Sequence, residues 1–224
     1  MGGLPHVGSG LTADAFRLRA QTTLLRQPPN GFSTMDSHDG PSDFRLNPTD
    51  DRRAFLAEGN WPQAAAVLVP ICERGGGATV ILTERTKTLR AHAGQIAFPG
   101  GRKDEDDEGP THTALREAEE EIGLGPDHVT ILGYLDAYLT GTGYYVSPVV
   151  GLISPDFVAR PDPGEVADVF EVPLGFLMDP KNHQTHARDI EGKSRRYVAM
   201  PYEDRYIWGA TAGMLKNLYD RVYC

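Results

Sequence analysis

The sequence is poor in cysteine and lacks long apolar runs. Its two cysteines among 224 residues, Cys72 and Cys224, lie far apart, so we expect no disulfide framework and a reducing, cytoplasmic environment. No apolar run approaches the roughly 18 residues of a membrane-spanning helix, and the opening MGGLPHVGSG lacks the basic and apolar regions of a secretory signal. We therefore expect no membrane partner.

Basic residues are also in short supply. The chain has 22 Lys and Arg against 31 Asp and Glu, which gives a net charge of −9. This balance argues against non-specific binding to nucleic acid or to an anionic membrane. It does not argue against a phosphate-bearing substrate, because a bound divalent cation inverts the local field.

The composition is otherwise that of a globular protein, with 40% hydrophobic and 24% charged residues. Glycine, proline, serine and asparagine punctuate residues 1–50, which we predict to be an N-terminal extension, partly helical or loop-like. Within it, TADAFRLRAQTTLLRQ predicts a short helix capped by Thr12. Residues 51–224 are predicted to form a single folded domain.

The pattern of apolar segments in residues 51–224 predicts strands and helices in mixed order. AAAVLVPIC and GGGATVILTER predict a hairpin, and GQIAFPGG predicts a short strand that ends in a glycine turn. THTALREAEEEIG predicts a helix that stops at Gly123. HVTILGYLDAYLT and YYVSPVVGLI each predict a strand, and ATAGMLKNLYDRV predicts a last helix. We expect the α/β class, an α/β/α sandwich around a mixed sheet.

Three glutamates share one face of the helix predicted over THTALREAEEEIG. Glu117, Glu120 and Glu121 stand at positions i, i+3 and i+4, which project from neighbouring turns. A solvated acidic helix is the simple explanation. However, this helix also has an apolar side, and a loop rich in carboxylates, residues 104–108, precedes it. Oxygen ligands at this density suit a hard cation such as Mg²⁺.

This segment resembles the box of the Nudix hydrolases, which runs glycine, five residues, glutamate, seven residues, then Arg-Glu-apolar-x-Glu-Glu-x-Gly-apolar. REAEEEIGL matches the second half at every fixed position: Arg116, Glu117, Ala118, Glu120, Glu121, Gly123 and Leu124. The loop in the first half is one residue longer. The loop carboxylate is Glu108 when counted back from Arg116 and Asp107 when counted forward from Gly101, and the sequence leaves both open.

The residues before the box resemble the extended motif of coenzyme A pyrophosphatases within that superfamily. LTERTKTLRAHAGQIAFPGG carries the matching positions: Leu82, Thr83, Arg85, Leu89, His92, Gly94, Gln95, Phe98, Pro99, Gly100 and Gly101. The resemblance implies the Nudix fold and hydrolysis of the diphosphate of coenzyme A or a derivative to 3′,5′-ADP and 4′-phosphopantetheine. It implies substrate-binding roles for Arg85, His92, Gln95, Gly100 and Gly101.

The resemblance also implies roles in the box itself. Glu117, Glu120 and Glu121 would bind Mg²⁺ or Mn²⁺ and carry catalysis, and Arg116 would hold these glutamates in place. The general base is left open between Glu165 and a helical glutamate. The alternatives are a hydrolase of ADP-ribose or NADH, and a non-catalytic nucleotide-binding module. The sequence also leaves open whether the chain is a monomer or a homodimer.

Overall fold

The computed structural model describes residues 11–30, 40–48, 61–87, 94–190 and 192–224. The main-sheet strands are β1 (Gln63–Arg74), β2 (Gly77–Arg85), β3 (Ile96–Ala97), β4 (Gly100–Arg102), β5 (Val129–Tyr134), β6 (Tyr138–Leu139), β7 (Tyr144–Ile153) and β8 (Val166–Pro173). A second sheet holds β9 (Gln184–Ile190), β10 (Lys193–Tyr202) and β11 (Arg205–Trp208). The helices are α1 (Ala13–Thr23), α2 (Pro110–Ile122), α3 (Leu174–Leu177) and α4 (Gly209–Tyr223).

The main sheet is mixed and is centred on β1. Its strands follow the order β3-β2-β1-β7-β5, while β4 pairs with β1, β6 with β7 and β8 with β2. β1 runs parallel to β7 and antiparallel to β2. The near-continuous apolar sequence of β1 follows from this position, because a central strand is covered on both faces.

Helices cover both faces of this sheet. On one face, α2 packs into a core that includes Leu68, Ile81 and Val149. On the other face, α1 and α4 enclose a larger core with side chains such as Leu82, Leu135 and Leu218. The predicted α/β/α sandwich with a mixed sheet is confirmed. None of the helices that the structure describes is long and apolar enough to cross a membrane.

The second sheet is antiparallel and is tied to the main sheet by Arg205 of β11. The guanidinium of Arg205 contacts Glu84 of β2 and Asp168 of β8, each at 2.6 Å, and lies over the ring of Phe170. The three-strand unit is thereby fixed beside the end of β2, one residue before Arg85.

The predicted N-terminal helix forms and joins the core. The side chain of Thr12 caps α1 by accepting a hydrogen bond from the backbone of Ala15, and Phe16 and Ala20 are fully buried. Leu25 then forms a β-bridge with Tyr134 of β5. This helix therefore packs as part of the layer formed with α4.

Several predicted elements differ in detail. The single strand predicted over HVTILGYLDAYLT is divided into β5 and β6, and the strand predicted over GQIAFPGG is divided into β3 and β4. After Pro173 the chain forms a helix of a single turn, α3. Strand β9 has no counterpart in the sequence prediction, because its residues QTHARDI are mainly polar and carry no apolar alternation.

Candidate active site

The carboxylates of α2 are positioned by the way this helix begins, ends and packs. Pro110 begins the helix after Gly109, where its missing N–H has no helical partner to lose. Gly123 ends it in the left-handed conformation, with φ of 69°. Between them, Ala114, Ala118 and Ile122 are fully buried against the sheet. The apolar stripe fixes the rotation of the helix and so the direction of its glutamates.

The three glutamates of the predicted ligand set differ in burial. Their side chains are 16% exposed at Glu117, 60% at Glu120 and 3% at Glu121. The helix turns Glu121 towards the sheet and Glu120 towards solvent. The exposure of these side chains therefore decreases from Glu120 through Glu117 to Glu121, which is the buried carboxylate at the base of the site.

Glu121 meets two other elements at that base. One carboxylate oxygen accepts a hydrogen bond from the backbone N–H of Gly100 at 3.2 Å, and the other lies 3.1 Å from Nη1 of Arg85. Burial raises the pKa of Glu121 to about 7, against the opposing effects of Arg85 and of the Gly100 N–H. A positive charge at this position would favour the ionised form.

Glu117 lies against the backbone of β4. A Cβ atom on Gly101 would fall 2.5 Å from the carboxyl carbon of Glu117, so only glycine leaves room for this carboxylate. Oε1 of Glu117 is 3.1 Å from Nη2 of Arg116. Burial raises the pKa of Glu117, while Arg116 acts in the opposite direction.

Arg116 joins the helix to the preceding loop. Its Nε and Nη2 atoms each donate to Asp107 at 3.1 Å, Nη1 donates to Glu120 at 3.0 Å, and Nη2 also reaches the carbonyl of Arg102 at 3.1 Å. A guanidinium with this many acceptors is fixed in orientation. The hydrogen bonds with Asp107 raise the pKa of Arg116 further.

The loop carboxylate at this junction is Asp107. Its side chain is 1% exposed and also accepts hydrogen bonds from the Thr113 hydroxyl and from the backbone of Asp104, each at 2.9 Å. The bonds from Arg116 hold the pKa of Asp107 well below its usual range. Glu108, the alternative that the sequence left open, is exposed. Asp107 is thus the carboxylate that fastens the loop to α2.

A second loop approaches the same carboxylates from β8. Oε2 of Glu165 lies 4.0 Å from Nη2 of Arg85, and the Glu165 side chain is 50% exposed. The backbone N–H of Thr86 donates to the Glu165 carbonyl at 2.9 Å. The charge of Glu165 acts to raise the pKa of both Glu117 and Glu121.

Comparison with known proteins identifies the family. The family model described as the NUDIX domain matches residues 62–191. The chain is 44% identical to the Escherichia coli K12 protein named uncharacterized Nudix hydrolase NudL, over 69% of this chain and 80% of that one.

The chain belongs to the Nudix family.

Two solved structures that resemble this Nudix protein have TM-scores below one half. A MutT/nudix family protein from Enterococcus faecalis gives a TM-score of 0.45 with 14% identity, and covers 86% of this chain and 75% of its own. The C. elegans Ap4A hydrolase, in a binary complex, gives 0.44 with 19% identity, over 49% of this chain and 80% of its own.

Membership makes the protein a Nudix hydrolase, an enzyme that acts on pyrophosphate bonds in nucleoside diphosphate derivatives. Helix α2 is accordingly its Nudix helix. Nudix hydrolases generally use divalent metal ions such as Mg²⁺ or Mn²⁺. The predicted Nudix fold is confirmed by the family match and by the layered architecture.

The side chains at the Nudix helix fit such an ion by their chemistry. Carboxylate oxygens are the ligands that Mg²⁺ prefers, and the cluster brings together Glu117, Glu120, Glu121 and the nearby Glu165. As arranged here, no three His, Cys, Asp or Glu side chains in the described ranges converge on one point. Oxygen atoms of the three helical glutamates face Arg85 or Arg116 instead.

Of the remaining predicted site residues, the structure describes Gln95, directly before β3, and the two glycines of β4. Gly100 and Gly101 lie on β4 against the glutamates, and the backbone carbonyl of Gln95 accepts a hydrogen bond from the N–H of Arg85 at 3.0 Å. His92 lies outside the described residues. Sequence reasoning did not find the role of Thr113, whose hydroxyl binds Asp107, since a threonine inside a helix carries no distinctive signal.

Proposed function

We propose that this Nudix hydrolase cleaves the diphosphate bond of coenzyme A or an acyl derivative, giving 3′,5′-ADP and 4′-phosphopantetheine or its acyl form. The observation that carries this proposal is the contact between Arg85 and Glu121 at 3.1 Å. Arg85 belongs to the segment that resembles the coenzyme A motif, and Glu121 belongs to the Nudix box. The contact supports a single site built from both motifs.

Glu117, Glu120 and Glu121 would hold the Mg²⁺ or Mn²⁺ ion. When bound, such an ion neutralises charge on the diphosphate oxygens and makes a coordinated water more acidic. Gly101 supports this role because its missing side chain lets Glu117 lie against β4. Glu121 is held from two sides, by the Gly100 N–H and by Arg85, so its orientation is set before any ligand arrives.

Arg116 acts as a positioning residue. Its guanidinium is bound on one side to Asp107 and on the other to Glu117 and Glu120. It is therefore engaged within the protein and does not extend to the diphosphate. Its contribution is to keep neighbouring carboxylates, which repel each other, on one side of the helix.

Arg85 has a similar positioning role in this proposal. Its guanidinium lies between Glu121 and Glu165, and these contacts hold it at the carboxylates of the proposed metal site. Arg85→Ala should therefore lower kcat/KM for coenzyme A and for dephospho-coenzyme A by similar factors. A loss confined to coenzyme A would instead assign Arg85 to the 3′-phosphate.

Glu165 is the group that we assign to take the proton from the attacking water. Glu117 and Glu120 each pair with Arg116, and Glu121 pairs with Arg85 at 3.1 Å. Glu165 approaches Arg85 only at 4.0 Å and is half exposed. A half-exposed carboxylate beside the cluster is open to a water molecule, and hydrogen-bond reach of that water is what a general base requires.

The experiment is a substrate panel with product identification. Coenzyme A, acetyl-coenzyme A, dephospho-coenzyme A, ADP-ribose and NADH would each be incubated with the protein and Mg²⁺, with EDTA as the metal-free control. We expect the highest kcat/KM for a coenzyme A compound. Preference for ADP-ribose or NADH would overturn the substrate assignment, and turnover of none of the five would favour a nucleotide-binding module.

A further inference from the structure

A second concave site lies away from the glutamates. A cavity of about 280 Å³ opens between residues 41–46, helix α4 and the strands β9 and β10. Its wall includes Tyr138 and Gly213, which lie where β6 and α4 meet. Tyr138 and α4 belong to the core on the far side of the sheet from α2, so this cavity is separate from the Nudix helix.

Two buried polar atoms in the cavity wall have no hydrogen-bond partner among the described residues: Oγ of Ser42 and Oδ1 of Asn217. The two residues are only 6% and 9% exposed. The amide nitrogen of Asn217 donates to Asp136 at 2.9 Å, which fixes Oδ1 as the unpaired acceptor. Buried polar atoms are nearly always paired in folded proteins, so these two oxygens retain hydrogen-bonding capacity that the described residues do not use.

Other polar groups of the wall are already paired within the protein. Asp43 accepts hydrogen bonds from the hydroxyl of Tyr138 at 2.8 Å and from the backbone of Gly141 at 2.7 Å. Lys216 is paired with Asp220 at 2.6 Å. A ligand group at this wall must therefore donate a hydrogen bond to Oδ1 of Asn217. It must also donate a hydrogen bond to Oγ of Ser42 or accept one from it. Hydroxyl groups meet both requirements.

The mouth of the cavity is positively charged. Arg45 and Arg196 line it with exposed side chains. Asn47 fixes this edge, because its side chain bonds to the backbone of Asp43 and to both backbone groups of Arg196. A guanidinium group suits a phosphate, because it can donate two parallel hydrogen bonds to it.

The cavity is large enough to hold a small organic ligand. At roughly 30 Å³ per water molecule, its volume corresponds to about nine waters. We propose that this cavity binds a phosphorylated sugar, with hydroxyl groups on Ser42 and Asn217 and the phosphate on Arg45 and Arg196. This is a binding site in addition to the diphosphate site.

Ribose 5-phosphate is the probe that tests this proposal, measured by calorimetry and by the shift in Tm of the full chain in EDTA. We expect saturable binding that is tighter than that of inorganic phosphate or of ribose. Arg45→Ala combined with Arg196→Ala should weaken it at least about tenfold, since each charge-assisted hydrogen bond is worth that much. Ser42→Ala should weaken it by a smaller factor and should leave hydrolase activity unchanged.

The matched control is Arg17→Ala combined with Arg188→Ala, which removes the same charge from exposed positions outside the cavity. Binding must survive in this control and in Glu121→Gln, since loss in Glu121→Gln would place the ligand at the Nudix helix and overturn the proposal. The proposal also fails if ribose 5-phosphate does not bind, or if inorganic phosphate binds equally well. Binding of AMP with equal affinity would support it and would identify a nucleotide as the source of the sugar phosphate.

Discussion

The carboxyl group of Glu121 gives the metal-free protein a specific dependence on pH. Burial raises its pKa from 4.5 to about 7, so between these values the folded state holds a proton that the unfolded state has lost. The free energy of unfolding therefore falls as pH rises through this window and levels off above it. The difference of about 2.5 between the folded and unfolded pKa values corresponds to a loss of about 3 kcal/mol in the free energy of unfolding.

Glu121→Gln tests this, because glutamine stays neutral at every pH in the window. In EDTA, urea denaturation should show that the variant exceeds the wild type in stability at pH 8 but not at pH 5. Its turnover with Mg²⁺ should fall at least about 100-fold, since even indirect partners of a metal contribute 10–100-fold. Glu119→Gln, on an exposed position of the same helix, is the control and should change neither quantity. If the free energy of unfolding changed with pH in the same way in the wild type and in both variants, the raised pKa of Glu121 would be refuted.

A second residue-level prediction separates Asp107 from Glu108. Asp107→Asn leaves Arg116 without its buried partner, and breaking such a pair costs about 3 kcal/mol or more. Glu108→Gln changes an exposed side chain and should stay within about 0.5 kcal/mol. Chemical denaturation of the two variants measures this difference. Equal stabilities would mean that Asp107 does not fasten the loop.

The sequence identified which residues form the acidic face of the helix, but it did not predict the burial and the contacts of each side chain. The spacing of Glu117, Glu120 and Glu121 indicated one helix face. Their different burial depends on β4 and on Arg85, which come from other parts of the chain. The choice between Asp107 and Glu108 depends on the path of an irregular loop, for which residue spacing gives no rule.

At the scale of elements, the close approach of β4 to α2 leads to a prediction about its two glycines. In Gly101→Ala the three atoms nearest to the new Cβ belong to the carboxyl group of Glu117, a side chain that can move. We expect nearly unchanged stability but a higher Mg²⁺ concentration for half-maximal activity. Gly100→Ala places Cβ 2.5 Å from the backbone carbonyl of Ala66 at φ of 157°, and the resulting strain should cost about 1–3 kcal/mol.

Gly109→Ala is the control for both, because a Cβ at this position meets nothing within 4 Å. Thermal unfolding and Mg²⁺ titration of activity would be measured for the three variants. If Gly101→Ala kept the wild-type Mg²⁺ requirement, the position of Glu117 would not matter for metal use.

Elements with strong local signals were predicted well. The proline and glycine at the two ends of α2 and its apolar stripe are local features, and the helix forms where they indicate. β9 has no such signal, and its pairing with β10 is decided by tertiary contacts. The same is true of the division between β5 and β6, where the chain leaves one pairing with β7 and starts another.

At the scale of the whole molecule, the layer opposite α2 depends on α1. Phe16 is fully buried in the core shared with α4, so Phe16→Ala should cost about 3–5 kcal/mol while kcat of the folded protein stays unchanged. Leu18, on the same helix, is 65% exposed, and Leu18→Ala should stay within about 0.5 kcal/mol. Denaturation curves and kcat at a temperature below both midpoints decide the matter. An unstable Phe16→Ala protein with normal kcat supports a purely structural α1, whereas loss of kcat would connect α1 to the active site.

The pairing of α1 with α4 also has a consequence for the order of folding. Nη1 of Arg221 donates to the carbonyl of Thr23 across a separation of 198 positions, and Arg19 lies over the ring of Tyr223. A ribosome adds roughly 5–20 residues per second, so α1 is made roughly 10–40 s before the helix that covers it. During synthesis its apolar face is a surface that chaperones can bind, and the last layer of the sandwich closes only after α4 has emerged.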